Sequence, residues 1–519
     1  MARLSQVDLA QMGAAYFESL EQERLVEVAK NLYELAVEQL EKLELSSQNS
    51  SRPPSSDTPY KSASSQVGEG TKPELPEQKS HSESETGIQE PKEPENPSPE
   101  VGKGFGNRKA GRQPGSKGHW REQPLCAEQT ISHHPQSCRA CNANLSQTNW
   151  DQKPYMGYYQ LELEKQANGF KIVCQMHHYY GATCSCGHHS LMAPGIGEQS
   201  LIEGRTIQLQ LKEQVLVGPM LAVLIASLAV RYRLSRTKIQ EFLQDWSGIA
   251  LSTSSIDRCI REAGLACRPV VEDLIQQLQA AEILHLDETP WYESGRLCWL
   301  WVAVNATCAV FFIGPRTKEM VLNIVSTTFV GWLVSDGYGA YRWYEHRQRC
   351  LAHLIRQALA LSEVVDAEAR QFATWLLEEL RELIHQLAQA GSDSPDDPGM
   401  IRFKQVALLG TASEHPKLKA LAREILWDWD AVVAFVTHPQ LPVTNNLAER
   451  ALRHAVIARN IGFGTRTSEG STSYAALLSV IETCRLRLLD PWTFLANVIY
   501  LRRKGLDAPL LSSPLPPVV

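Results

Sequence analysis

Two aspartates in this 519-residue chain share an unusual setting. Asp287 closes the apolar run "ILHLDE" and Asp336 closes "WLVSDG", each rich in the β-branched and aromatic residues of a buried strand. A buried carboxylate is costly, so two at the ends of neighbouring strands would make a pocket too negative to persist alone. Hard divalent cations with oxygen ligands resolve that charge. A third carboxylate comes from "TNNLAERALRHAVIARN", where Glu449 falls on the first turns of a helix and Arg453 follows it one turn later. One of that pair could hold metal while the other meets a phosphate. Two alternatives rank lower: Glu288 points to the opposite side of its strand from Asp287, and Glu469 lies in the loop "IGFGTRTSEGSTS" at 461–473.

A second constellation is made of sulfur. Cys138 and Cys141 form C-x2-C, and Cys184 and Cys186 form C-x-C. Two pairs of thiolates, each on a turn, supply the edges of a tetrahedral structural zinc site. His177, His178, His188 and His189 lie close enough in sequence to substitute, and four unrelated buried cysteines are the alternative. Cys126, Cys174, Cys259, Cys267, Cys298, Cys308, Cys350 and Cys484 have no partner at ligand spacing and read as core residues. The opening MARLSQVD has no basic segment followed by an apolar one. Twelve cysteines then argue for thiols and metal ligands, in a bacterial-type cytoplasm or a nucleus, rather than for disulfides.

The elements that must position these residues can be read from pattern. "EILHLDE", "RLCWLWVAV" and "CAVFFIG" suit three strands of a meander, the helix "TKEMVLNIVSTTF" at 317–329 follows, and "GWLVSDG" returns as a fourth strand after a crossover. Residues 352–435 carry helical periodicity, as do 445–505 apart from the loop at 461–473. Upstream, 207–264 reads as several helices. Within it 235–264 has a helix, a break at Gly248 and a second helix capped by Ser252 or Thr253. That is a helix-turn-helix outline, which any three-helix bundle would also give. "GPMLAVLIASLAV" at 218–230 is too short for a membrane span and reads as a buried helix.

The N-terminal part has a different texture. Residues 16–45 suit an amphipathic helix, either a short coiled coil or one packed on its own domain. From 49 to about 100, Ser, Pro, Glu and Lys dominate and no core can form. A net charge of -7 argues superficially against a nucleic-acid partner, but charge is uneven. Residues 69–100 hold nine Glu against three Lys, whereas Lys103, Arg108, Lys109, Arg112, Lys117 and Arg121 face one acid between 103 and 122. Arg450, Arg453, Arg459 and Arg466 have no acid among them between 450 and 466. Such cations follow a phosphate backbone, although 103–121 also suits a solvated linker.

The ordered set "NSSRPPSSD", "GRQPGSKGH", the paired cysteines, "LHLDETPW", "LVSDGYGAY", "CLAHLIR", "NNLAERALR" and "IETCRLRLLDPWTFL" closely resembles the IS66-family transposases of bacterial insertion sequences, from about residue 20 to about 505. The resemblance implies an α/β, RNase H-like catalytic domain of the DDE class with a helical insertion, and Asp287, Asp336 and Glu449 as its triad. It also implies a zinc-binding domain with Cys138, Cys141, Cys184 and Cys186 at the matching positions. Two features depart from the family pattern: Thr444 replaces the usual Asp before the paired Asn, and the second cysteine pair is C-x-C instead of C-x2-C.

On this reading the chain divides into an N-terminal helix (1–48), a linker with the basic segment (49–124), a zinc-binding domain (125–195), a helical DNA-binding domain (205–275), a catalytic domain (280–460, insertion about 355–440) and a helical C-terminal segment (461–510). The expected activity is cleavage and strand transfer at the ends of a mobile DNA element. Two Mg2+ (or Mn2+) ions would lie at the triad and Zn2+ would be structural. His353 and Arg356, one helical turn apart, would contact the scissile strand or merely form a polar helix face. Synapsis of two DNA ends implies a homo-oligomer, the family implies small accessory proteins, and no membrane is involved. The rivals are a non-catalytic zinc-containing DNA-binding protein derived from a transposase, and a nuclease without strand transfer.

Overall fold

The computed structural model describes residues 125–200, 209–390 and 398–511. The helix expected at 16–45, the linker and the basic residues Lys103 to Arg121 lie outside the described residues.

The first sheet grows from simple alternation. In "YYQLELEK" Leu161 and Leu163 alternate with Glu162 and Glu164, and the segment is extended. The sheet joins β1 (Gln129–His133), β2 (Met156–Gln166) and β3 (Gly169–Tyr179), with β3 central, antiparallel to β2 and parallel to β1. Two small antiparallel pairs follow, β4 (Gly181–Thr183) with β5 (His189–Leu191) and β6 (Ile196–Ser200) with β7 (Leu209–Lys212).

Four helices come next: α1 (Pro219–Val230), α2 (Arg236–Ser247), α3 (Thr253–Ala266) and α4 (Arg268–Gln279). The apolar run at 218–230 is the buried α1, whose first amides Met220 and Leu221 donate to the Glu162 carboxylate at 3.0 and 3.1 Å. Ser235 caps α2, Gly248 closes it in the left-handed region (φ 66°), and the Ser252 hydroxyl caps α3 by accepting from Ser255 N.

The central sheet has five strands in the order β10-β9-β8-β11-β12. Its members are β8 (Ile283–Glu293), β9 (Arg296–Val304), β10 (Ala309–Gly314), β11 (Trp332–Ser335) and β12 (Arg347–Arg349). The first three form the expected antiparallel meander, and α5 (Lys318–Val325) carries the chain over to β11, which runs parallel to β8. The short polar β12 was not foreseen.

Five helices follow: α6 (Leu351–Ser362), α7 (Ala367–Ala390), α8 (Pro398–Gly410), α9 (Pro416–Trp427) and α10 (Trp429–Thr437). They enclose an apolar core of their own, centred on Leu354, Leu376, Phe403 and Val432. The chain then returns through α11 (Asn446–Gly462), α12 (Ser468–Leu486) and α13 (Pro491–Arg503). α11 packs on β8 and β9, and α12 on β10. These helices share the main core with α1–α4 and the central sheet.

Candidate functional site

Register brings the two aspartates together. β11 pairs with β8 through Val334 beside His285, and two residues further along both parallel strands come Asp336 and Asp287. Asp287 is buried. Its carboxyl is held well above the ordinary range, first by burial, then by the negative charges of Glu288, Asp336 and Glu449. The fold therefore gathers four acidic side chains within electrostatic reach of one another.

Asp287 is not the last residue of its strand, as the sequence suggested. β8 continues to Glu293, and it is β11 that stops, at Ser335. Beyond Asp287 the outer edge of β8 loses its partner strand, which is where a strand tolerates Pro290, with no N–H to donate. Glu288 faces away from Asp287, as alternation requires. Arg316 meets its carboxylate at 2.8 Å and the Tyr341 hydroxyl donates to it. Burial, with Asp336 next, pushes the Glu288 carboxyl up to about 7, against the pull of Tyr341 and Arg316.

Glu449 reaches the cluster from the first turn of α11, as expected, and the residue that aims it is Asn445. This fully buried side chain donates to Leu286 O at 2.9 Å and meets His285 Nδ1 at 3.0 Å, while its backbone N–H donates to Cys350 Sγ at 3.2 Å. Its carbonyl accepts the helix bond from Glu449 N at 3.2 Å. One residue thus fixes β8, the start of α6 and the start of α11. The cation on Glu449 is Arg356, at 3.2 and 3.3 Å from the two carboxylate oxygens, and His353 Nε2 lies 3.8 Å away. His353 and Arg356 therefore face the carboxylate cluster. Arg453, the expected partner, is exposed, because at that point α11 turns its side chains to solvent.

Other expected residues are also sorted by the fold. Glu469 lies on the first turn of α12, not in a loop, since Thr467 caps that helix by accepting from Gly470 N. Arg459 is bonded to β8, donating to Thr289 Oγ1 at 2.9 Å and Pro290 O at 2.6 Å, and Arg450 is exposed. Two cysteines depart from the core expectation: Cys126, ahead of β1, is exposed, and Cys298, near the open end of β9, is half-buried. Cys350 is buried but shares a cluster with His353 and Glu449, whose donor atoms all lie within 4.8 Å of one another.

The four paired cysteines do converge. Cys138 Sγ lies 3.7 Å from Cys186 Sγ and Cys141 Sγ 3.6 Å from Cys184 Sγ, with all four sulfurs within 4.8 Å of one another. Each pair sits on a tight turn whose sharpest residue has positive φ, Asn142 (56°) in one and Gly187 (84°) in the other. The backbone N–H of Cys141 points at the Cys138 sulfur and holds that thiol low, while at Cys141, against the backbone N–H of Ala143, the neighbouring sulfurs push the thiol up, as crowded thiols without a cation require. Two of the four candidate histidines are occupied elsewhere: His177 Nδ1 pairs with His133 Nε2 at 2.9 Å, and His189 with Asp151 at 2.9 Å.

Beside the helix-turn-helix outline lies a cavity of about 740 Å³. Arg233, Arg236, Arg261 and Arg466 line it, together with Asp257, Glu469 and the N-terminal turns of α3 and α12, and Asp257 pairs with Arg236 at 3.3 Å and with Arg261 at 3.0 Å. Four arginines against two carboxylates, with the positive helix ends, leave a net attraction for an anion there. The loop that carries Arg466 is zipped to the end of β8, with Thr465 N donating to Tyr292 O at 2.9 Å and Ser294 N to Thr465 O at 2.8 Å. Gly464 makes this possible, since a Cβ there would come 2.1 Å from Tyr292 O.

A mixed α/β structure with acidic side chains gathered on adjoining strands, a four-cysteine cluster and an arginine-lined cavity defines a protein with two groupings of metal-ligand type beside an anion-attracting surface. The chain belongs to the Transposase IS66 family, which matches residues 214–473, half of its length. A family of unknown function matches residues 16–87. The uncharacterized protein y4jD of Sinorhizobium fredii (strain NBRC 101917 / NGR234) is 23% identical over 269 residues, covering 45% of this chain and 52% of that protein. The uncharacterized protein y4qI of the same strain is 21% identical over 316 residues, covering 53% and 58%. The chain thus spans little more than half the length of these curated relatives. Among the described residues, no helix is long and apolar enough to cross a membrane.

Proposed function

We propose that this chain is a DNA transposase that binds the ends of an insertion sequence and catalyses metal-dependent cleavage and strand transfer. The supporting observation is the convergence of Asp287, Asp336 and Glu449 from three separate elements into electrostatic contact. Family membership and the meander-plus-crossover order of the central sheet support an RNase H-like catalytic domain, with α6–α10 as its helical insertion.

The donor set is all oxygen and dense in negative charge, which fits Mg2+ or Mn2+. Asp287, Asp336 and Glu449 would hold the ions, which when bound supply charge to a scissile phosphate and lower the pKa of the attacking hydroxyl. The chain's own residues do the rest. Asn445 holds the Glu449 helix against β8, Arg356 neutralises Glu449 and is placed to meet a phosphate, and Arg316 with Tyr341 keeps Glu288 out of the way. No covalent protein nucleophile is needed.

Cys138, Cys141, Cys184 and Cys186 fit Zn2+, which would tie two loops into one structural unit. The arginine-lined cavity and the basic segment at 103–121 would carry DNA contacts, in a homo-oligomer on DNA within a bacterial cytoplasm, with small accessory proteins as the family suggests.

The test is a cleavage and strand-transfer assay on candidate end DNA in Mg2+, comparing wild type with Asp287→Asn and Glu449→Gln. Loss of both products in each variant supports the assignment, and unchanged product from either removes that residue from the triad. Cut ends without joined product would indicate a nuclease. Binding without cutting would indicate a DNA-binding protein derived from a transposase.

A further inference from the structure

Cys350, His353 and Glu449 bring one sulfur, one nitrogen and one oxygen donor within 4.8 Å of one another. The first two sit three residues apart at the start of α6, so they share a face, and the third enters from α11. Cys350 is fully buried and His353 is 5% exposed. His353 Nδ1 has no hydrogen-bond partner despite its burial, an arrangement that costs free energy unless something occupies the ring. The sulfur accepts the backbone N–H of Asn445 at 3.2 Å, and because burial keeps Cys350 a thiol, a bound metal has to displace its proton.

This donor set differs in kind from the carboxylate site. Mg2+ takes oxygen and avoids sulfur, whereas a mixed sulfur, nitrogen and oxygen set with three protein ligands suits Zn2+ or a similar borderline-soft ion, with a fourth position left for water or another group. The charges agree with that preference. A Cys350 thiolate and the Glu449 carboxylate offset Zn2+, and Arg356 can stay on the carboxylate from outside.

We propose that Cys350, His353 and Glu449 form a second zinc-class site, separate from the four-cysteine cluster, whose occupation takes Glu449 away from the oxygen-only site. Binding releases the Cys350 thiol proton to solvent and changes no oxidation state. The binding itself stands apart from the proposed activity; only its effect on Glu449 rests on that reading.

The experiment uses the full chain, stripped with a chelator, reloaded with Zn2+ and freed of excess metal. We expect about two zinc ions per chain, and X-ray absorption showing an average of about 2.5 sulfur ligands per zinc. About one zinc with about four sulfurs would overturn the site. Cys350→Ser and His353→Gln should each remove one zinc and leave the other, whereas Cys138→Ser should remove the other one. Unchanged zinc content in folded Cys350→Ser or His353→Gln overturns the assignment, and the sulfur count of the wild type decides the matter should those variants fail to fold. Mn2+ binding read by electron paramagnetic resonance then tests the shared ligand. Zn2+ should weaken it in wild type and not in Cys350→Ser, and zinc uptake with unaltered Mn2+ binding keeps the site but overturns its claim on Glu449.

Discussion

The Asn445 side-chain oxygen lies 3.0 Å from His285 Nδ1, so the residue that starts the Glu449 helix is bonded to the strand two positions before Asp287. Both groups are buried, and the Asn445 amide also holds Leu286 O. Asn445→Ala leaves two buried partners unmatched and should cost roughly 2 to 4 kcal/mol. Asn445→Asp should not rescue it, since a carboxylate cannot donate to Leu286 O. Urea unfolding measures both, and a loss below about 0.5 kcal/mol for the alanine variant would mean that the tether is not needed.

Asp287 sits among three other carboxylates that raise its proton affinity. Asp287→Asn removes the cost that burial and those charges place on this carboxyl, so the metal-free variant should melt a few degrees above wild type, at roughly 2 °C per kcal/mol. Wild type should gain stability on adding Mn2+ and the variant should not. Differential scanning fluorimetry in chelator and in Mn2+ separates the outcomes; a variant that melts lower in chelator contradicts the repulsion.

Arg347 pairs with Asp428 through two bonds of 2.5 and 3.3 Å, and Arg349 reaches the same carboxylate at 3.4 Å. Burial alone would raise the Asp428 carboxyl, but the two guanidinium groups hold it below its ordinary value. A depressed carboxyl contributes stability that is full above its unfolded pKa, about 3.9, and is lost as pH falls through the lower folded value. Asp428→Asn should therefore cost about 3 to 5 kcal/mol at pH 7 and flatten the loss of stability below about pH 4. Unfolding measured between those conditions checks the slope, and parallel curves for variant and wild type would refute it.

Arg466 is an exposed cation at the rim of the cavity between α3 and α12. Arg466→Ala should weaken DNA binding about equally across unrelated sequences and lower the salt slope by about one. Fluorescence anisotropy at several salt concentrations reads both, and a loss confined to one sequence would recast Arg466 as a base-reading residue.

How much of this could be read beforehand depended on whether a residue's own chemistry set its structure. The meander and the crossover were legible, because burial demands an apolar pattern, and Asp287 and Asp336 stood out as the carboxylates that interrupt it. β12 was not, since "RQR" has no apolar residue and is extended because β11 pairs with it while Asp428, Glu424 and Phe435 N satisfy its side chains. The continuation of β8 past Asp287 was hidden by Pro290, which marks a stop unless one knows that the neighbouring strand has already left. The α12 start was readable in "TSEG", with Thr467 as cap. The strands at 156–179 were readable too, in the Leu-Glu alternation. Asn445 gave no sign of its role in the sequence, because its partners lie 159 and 160 residues away.

The core of the helical segment meets the central sheet where Ile283 of β8 and Trp332 of β11 pack against it. The helix that carries Glu449 is anchored in the main core, through Ala448 and Leu452, while Arg356 and His353 ride on a helix whose Leu351 and Leu354 belong to the other. The acidic residue and its counter-cation are thus anchored in different cores and joined at Asn445, like the two halves of a clasp. Loosening either core would change the net charge felt at Asp287, because Arg356 would no longer be held on Glu449.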